Sequence, residues 1–212
     1  MPGPAWREGE RSTDLGELAA RLRALPPSCG PVRLVAVDGH AGSGKSTFAG
    51  RLAEALGGAP VLGLDQLAHH GSYFGWTDRL REQVLRPLLR GEEARYEVYD
   101  WRARAFTHRA RLPVSEVVLV EGVGAGRRAL REWLACVLWM DRDARSSWDR
   151  GRARDGAEQR EFWASWVPRE RQHFAEDPSE PFARLRVRES PEGYLWRVGP
   201  VGQGAPQQCH AE

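Results

Sequence analysis

Apolar positions along this chain fall into two rhythms, and their alternation predicts the architecture. Leu15, Leu18, Ala19, Leu22 and Leu25 recur at the three-and-four spacing of a helix face, with Ser12-Thr13-Asp14 as caps and Pro26-Pro27 as the stop. This helix is expected to pack on the main domain; the alternative is a face for a partner. Residues 32–38 form a β-branched apolar run of strand length, and residues 45–56 read as a helix stopped by Gly57-Gly58. Residues 60–64 read as a short second strand ending at Asp65. Leu80, Val84, Leu85, Leu88 and Leu89 mark the next helix, capped by Thr77 or Asp78 and ended by Gly91.

The second half repeats the scheme. Residues 94–101 alternate enough for a strand or hairpin arm, followed by a basic and aromatic stretch over 102–111. Val117-Val118-Leu119-Val120 is a buried strand leading to Glu121-Gly122. A helix over 127–133 then precedes a buried strand over 135–140, which ends at Asp141. Residues 142–155 and 157–176 read as helices, the second kinked or restarted at Pro168. Residues 185–188 and 194–198 read as short strands of an edge hairpin. Apolar strands separated by helices imply an α/β fold, a mostly parallel sheet with right-handed crossovers.

Composition narrows the class. The 212 residues suit a single domain over 12–198, with its N-terminal helix at 12–25 and its core at 32–188. Residues 1–11 are expected to be disordered and residues 199–212, rich in Gly, Pro and Gln, to form a mobile tail. A net charge of +2 argues against a nucleic-acid partner. No apolar run reaches the ~20 residues of a membrane helix, so no membrane partner is expected either. Residues 1–11 lack the apolar core of a secretion signal. Cys29, Cys136 and Cys209 are odd in number and without metal-ligand spacing, which points to a reducing cytoplasm, with Cys136 as inert core. The sequence leaves a homo-oligomer open.

The candidate chemistry centres on Gly39-His40-Ala41-Gly42-Ser43-Gly44-Lys45-Ser46-Thr47, which fits the phosphate-binding pattern GxxxxGK[ST] between a strand and a helix. Glycines let the loop turn its amides inward, and the helix that follows adds its positive end. Lys45 is the only lysine among the 31 Lys and Arg residues. A compact ammonium between phosphates is not easily replaced by a planar guanidinium, so Lys45 is read as chemically required. Asp65 at a strand end is expected to face the same crevice, although a helix cap is the plainer role. Glu121 stands where such proteins hold Mg²⁺ or a metal-bound water. Residues 69–78 either shape a substrate pocket or form a packed surface loop, and His69-His70 lack a third ligand for a metal site. Residues 102–111 are either a solvated hairpin or a pocket wall. The helix over 142–155 carries Arg145, Arg150 and Arg154, as a clamp on a transferred phosphoryl group or as surface ion pairs. An Asp-Glu pair ending the third strand and an NKxD motif are both lacking, which favours a phosphotransferase with a closing lid.

Taken together, these residues resemble the uridine kinase-like branch of P-loop kinases, which includes uridine–cytidine kinases, phosphoribulokinase and pantothenate kinase. The resemblance covers residues 32–187. It rests on Asp38-Gly39 through Thr47, Asp65, Pro87-Leu88-Leu89-Arg90-Gly91, Val98-Tyr99-Asp100-Trp101, Val120-Glu121-Gly122, and the run from Asp141 through Arg145, Arg150 and Arg154 to Asp155. It implies a three-layer P-loop NTPase sandwich with an arginine-rich lid helix. It also implies an ATP- and Mg²⁺-dependent kinase for a small-molecule hydroxyl, a nucleoside above all. The resemblance places Lys45 and the loop amides on ATP, Ser46 on Mg²⁺, Asp65 as base, Glu121 in the metal shell and Tyr99 in the nucleoside pocket. Arg145, Arg150 and Arg154 would neutralise charge. The acceptor side departs from the pattern. Leu67-Ala68 stand where the family has a Phe-Tyr pair, and residues 101–108 replace a compact histidine motif. His108 takes that histidine's place if the loop folds back, and Asp78 stands where the family binds ribose hydroxyls. The other readings are a sugar or vitamin-precursor kinase and a nucleotide-binding regulatory module without turnover.

Overall fold

The computed structural model of the chain describes residues 7–199. In chain order its elements are β1 (Arg11–Ser12), α1 (Leu15–Arg23), β2 (Arg33–Asp38), α2 (Lys45–Ala55) and β3 (Val61–Gly63). A helix follows as α3 (Thr77–Leu80), a π-helical segment (Arg81–Leu85) and α4 (Arg86–Leu89). Then come β4 (Ala94–Asp100), β5 (Ala105–Leu112), β6 (Val117–Glu121), β7 (Cys136–Met140), α5 (Ala144–Asp155), α6 (Arg160–Glu176), β8 (Leu185–Ser190) and β9 (Gly193–Val198). The main sheet has the order β1-β9-β8-β7-β2-β6-β3, and β4-β5 form a separate hairpin. Strands β3, β6, β2, β7 and β8 are parallel, and β9 and β1 add antiparallel edges.

Burial explains this order. Five of the six β2 residues are buried, as a strand covered on both faces requires. Its side chains alternate between two cores. Val35 and Val37 join Leu18, Leu22, Phe48 and Leu52 of α1 and α2 on one face. Leu34 and Ala36 join Leu80, Val84, Leu88 and Tyr96 on the other. The result is a three-layer α/β sandwich. A third cluster of Trp148, Trp163 and Val167 joins α5 to α6. The helices come close because Gly151 has no Cβ: one built there would lie 2.4 Å from the Trp163 ring.

Register sets up the site. Gly63 and Val37 both pair with Glu121, and Asp38 pairs with Trp139. The carboxyl ends of β3, β6, β2 and β7 therefore finish level, at the edge where ligands of open α/β sheets gather.

Several expectations are revised. Residues 7–11 are not free chain: the Gly9 amide donates to the Val198 carbonyl at 3.2 Å, and Arg11 pairs with Arg197. The other residues expected to be disordered, 1–6, and the tail over 200–212 lie outside the described residues. The predicted helix at 127–133 is a 3-10 helix over Arg128–Trp133. Its larger rise per residue suits a short link between the loop after β6 and β7. Helix α6 runs through Pro168 without restarting. Residues 102–104 form a turn and residues 105–111 most of β5, with Thr107, His108 and Arg109 exposed.

Candidate active site

The loop after β2 takes its shape from glycines in conformations that other residues avoid. Gly39, Gly42 and Gly44 have φ of +146°, +83° and +99°. A Cβ on Gly42 would lie 2.0 Å from the Ser147 carbonyl oxygen, so the loop also needs a glycine to seat against α5. Asp38 anchors the base of the loop. Fully buried, it accepts the amides of Gly39 (2.7 Å), Gly124 (2.9 Å) and Gly126 (2.8 Å), tying β2 to the segment after β6. Lys45 begins α2, and its Nζ donates to the carbonyls of Gly39 (3.0 Å) and His40 (2.9 Å).

Two carboxylates converge beside the lysine. Ser46 Oγ donates to Glu121 Oε1 at 2.9 Å. A Cβ on Gly63 would meet Asp65 Oδ1 at 2.6 Å and Glu121 Oε1 at 3.5 Å, so both acids crowd the end of β3. Desolvation by the surrounding cleft atoms pushes the Asp65 carboxyl above its ordinary value, against amide hydrogen bonds and the charge of Lys45, although the residue keeps a solvent-exposed surface. Burial raises Glu121 as well, helped by Asp65 and Asp38 and opposed by Lys45 and Ser46. Neighbouring elements brace the Asp65 turn: Trp101 Nε1 donates to the Asp65 carbonyl (3.1 Å), and the Tyr96 hydroxyl to Gln66 (2.8 Å).

Lys45, Ser46, Asp65 and Glu121 all open into one cleft of about 990 Å³. Its other walls include His70, Tyr73, Trp101, Phe162 and Trp166, so the loop over 69–78 contributes directly. His70 Nδ1 lies 2.9 Å from the Tyr99 hydroxyl, which places Tyr99 behind the wall and not on it. A second cavity, of about 650 Å³, touches the loop at His40 and Ser43.

The other predicted residues divide. Arg154 lines the cleft and is held by Asp155 at 2.6 Å. Arg150 leans over the loop, its Nη1 3.4 Å from where a Cβ on Gly44 would be, and it pairs with Glu189 at 2.7 Å. Arg145 does not join them: its side chain is 92% exposed, with only Asp149 at 4.0 Å. Asp78 is exposed in the first turn of α3 and is not among the cleft residues. His108 is exposed on β5, opposite Val98, with its ring against Thr107. The hairpin does not fold back, so no histidine from this strand enters the cleft.

One residue escaped sequence reasoning. Glu170 of α6 is fully buried and sits against the phosphate loop: its Oε1 lies 2.8 Å from His40 Nδ1, and both oxygens accept the Ala41 amide at 3.3 Å. The indoles of Trp148 and Trp166 also donate to it. Burial works to raise its carboxyl, but the hydrogen bond to His40 and the charge of Lys45 hold it below the ordinary value. The signal was the spacing of Trp163, Trp166 and Glu170 on one helix, which only tertiary packing connects to residues 40–41.

The donor set fits a nucleotide and its metal. The loop is curled by positive-φ glycines, and the Ser43 hydroxyl is buried without a partner. Ser46, Glu121 and Asp65 supply oxygen donors of the kind Mg²⁺ takes. Among the described residues no group of three or more His, Cys, Asp and Glu could cage a metal alone, so phosphate oxygens would have to complete the shell.

No family model and no curated protein matches the sequence. Among solved structures the chain is similar to a possible uridine kinase from Bacillus stearothermophilus, at TM-score 0.53 and 17% identity, covering 73% of this chain and 91% of that one. It is also similar to a protein described as a fructose transport system kinase from Silicibacter sp. TM1040, at TM-score 0.49 and 23% identity, covering 66% of this chain and 80% of that one. The first likeness bears on the fold: this chain shares with that structure a three-layer α/β sandwich of the P-loop type. Among the described residues no helix is long and apolar enough to cross a membrane.

Proposed function

We propose that this protein is an ATP-dependent kinase that transfers the γ-phosphate to a hydroxyl of a small molecule. The observation that carries the reading is the convergence of Lys45, the Ser46–Glu121 pair and Asp65 on one cleft. A nucleotide-binding module without turnover has no need of a second carboxylate, Asp65, on the acceptor side of the same cleft.

In this reading the loop amides and Lys45 bind the phosphates, and the second cavity has room for the nucleoside end of the donor. Ser46 and Glu121 would hold Mg²⁺, which supplies charge neutralisation on the phosphate oxygens. The acceptor lies against His70, Tyr73 and Trp101, with its hydroxyl toward Asp65. Asp65 takes the hydroxyl proton as the oxygen bonds to the γ-phosphorus and the bridging oxygen leaves with ADP. Arg154, close by, and Arg150, over the loop, are the arginines placed to neutralise developing charge; Arg145 is not. The aromatic wall favours an acceptor with a ring, such as a nucleoside, over an open chain. Buried, unbridged Cys29 and Cys136 suit the reducing cytoplasm where such a kinase would work.

The test is ATP turnover with Mg²⁺ over a panel of nucleosides, sugars and vitamin precursors. Stimulation by at least one acceptor is expected. Stable nucleotide binding with no stimulation by any of them would turn the reading to a regulatory module.

A further inference from the structure

The cations of the β4–β5 hairpin are unequally occupied. Along the strands, Arg95, Arg109 and Arg111 pair with Glu93 or Glu97. At the turn, Arg102 and Arg104 line the cleft, and neither guanidinium makes an ion pair or hydrogen bond among the described residues. The two that face the cleft are the two left without a partner.

The turn is also held in a costly shape. Arg104 has φ of +57°, the one non-glycine residue with positive φ among the described residues. Glycine would adopt that conformation without steric cost, yet the position carries a long cation. The Asp100 carboxylate fixes the turn by accepting the amides of Arg102 and Ala103, each at 2.8 Å. Trp101 then ties it to the carbonyl of Asp65. The backbone that carries both arginines is therefore tied to the segment of the proposed base. His70 lines the same cleft, and desolvation and the nearby Arg104 charge lower its pKa from the ordinary value.

We propose that Arg102 and Arg104 form an anion subsite of the acceptor pocket. The acceptor would then carry a phosphate or carboxylate remote from the hydroxyl that reacts. This inference rests on the kinase reading and names its acceptor class. A guanidinium pair suits either oxyanion, through charge-assisted and bidentate hydrogen bonds. Glu158 and Glu161 line the cleft from the α5–α6 junction and repel an anion there, so they orient the acceptor with its charge toward the hairpin. The reaction is otherwise unchanged: the acceptor oxygen bonds to the γ-phosphorus, the bond to the bridging oxygen breaks, its electron pair leaves with ADP, and the proton goes to Asp65.

Matched acceptors test it, with ATP and Mg²⁺: ribose 5-phosphate against ribose, uridine 5′-monophosphate against uridine, and pantothenate against its alcohol. The first two pairs probe phosphate and the third carboxylate. In at least one pair the anionic member is expected to have the higher kcat/KM by roughly 10–100-fold, the yield of one or two charge-assisted hydrogen bonds. In Arg102→Gln and Arg104→Gln that advantage collapses, chiefly through KM of the anionic acceptor. Arg104→Gly loses the advantage while its Tm stays level or rises, which separates the role from support of the turn. Preference for the neutral members overturns the proposal. So does an equal loss on both members, which would mean that the arginines pair with Glu158 and Glu161 on closure. Should no acceptor turn over, the kinase reading fails, and calorimetric titration of the same anions into MgADP-loaded protein still decides the subsite. Binding abolished by the double variant supports it; no binding overturns it.

Discussion

At Asp65, desolvation and charge pull in opposite directions, and the balance has a sign that experiment can read. Its carboxyl is raised chiefly by desolvation among the cleft residues, so the proposed base loses its proton at a higher pH than an ordinary aspartate. Turnover should therefore rise as pH climbs through that raised value. Stability runs the other way. A group whose folded pKa is raised contributes stability that is full below the ordinary carboxylate pKa and lost as pH rises through the folded value. Because Asp65 keeps a solvent-exposed surface, its charged form costs the fold little at neutral pH. Asp65→Asn is expected to leave Tm at pH 7 nearly level, keep MgATP binding and lower acceptor-dependent turnover by ~10²–10⁴-fold. A variant that turns over like the wild type would remove Asp65 as base. Gly42 gives the opposite kind of prediction. Its φ of +83° and the 2.0 Å approach to the Ser147 carbonyl leave no room for a methyl group. Gly42→Ala should cost on the order of 2 kcal/mol or more in urea denaturation and weaken nucleotide binding, because α5 must move off the loop. These residues were legible in the sequence because their constraints are local. Glycine spacing dictates the loop, and a strand end dictates where Asp65 and Glu121 emerge.

At the scale of elements, the site is held by contacts between helices far apart in sequence, and there the sequence was less legible. Arginines occur around much of α5, so their pattern alone does not set the phase of the helix. The buried Ser147, Trp148 and Gly151 do set it, turning Arg154 and Arg150 inward and Arg145 out. Asp78 and His108 were placed by loop and hairpin registers that only packing fixes. Glu170 is the strongest case. It joins α6 to a loop 129 positions earlier, and nothing in the local pattern marks a glutamate as fully buried. Its removal leaves the Ala41 amide, two indole N–H groups and His40 without their acceptor. Glu170→Ala should therefore cost about 2–5 kcal/mol in equilibrium unfolding. The pH dependence again has a definite sign. The Glu170 carboxyl is held low by His40 and Lys45 despite burial, so its contribution is present above the ordinary carboxylate pKa and lost as pH falls through the lowered value. Glu170→Gln should flatten the acid side of the stability profile, measured by urea midpoints from neutral pH downward. An unchanged acid limb would mean that Glu170 does not hold the loop through its charge.

On the scale of the whole molecule, the phosphate loop is where the sheet, α2, α5 and α6 meet, so a ligand bound there should stabilise them together. The loop contacts α5 through Gly42 and Ser147, and α6 through Ala41 and Glu170. A ligand that binds only the folded state adds about 2.7 kcal/mol at one hundred times its dissociation constant. For a chain of this size, each kcal/mol moves Tm by roughly 2–4 °C, so saturating MgATP should raise it by about 5–10 °C. Lys45→Ala should abolish most of that shift, and Lys45→Arg should not restore it, because a planar guanidinium does not fit where the compact ammonium caps the loop. Arg102→Gln with Arg104→Gln should leave it intact, since the proposed subsite on the hairpin would serve the acceptor and not the nucleotide. Hydrogen exchange locates the effect. With MgATP, protection should increase in α5 and α6 as well as in the loop, through Glu170 and the packing of Gly151 on the Trp163 ring. Protection confined to residues 39–47 would show that the loop binds nucleotide without engaging the lid.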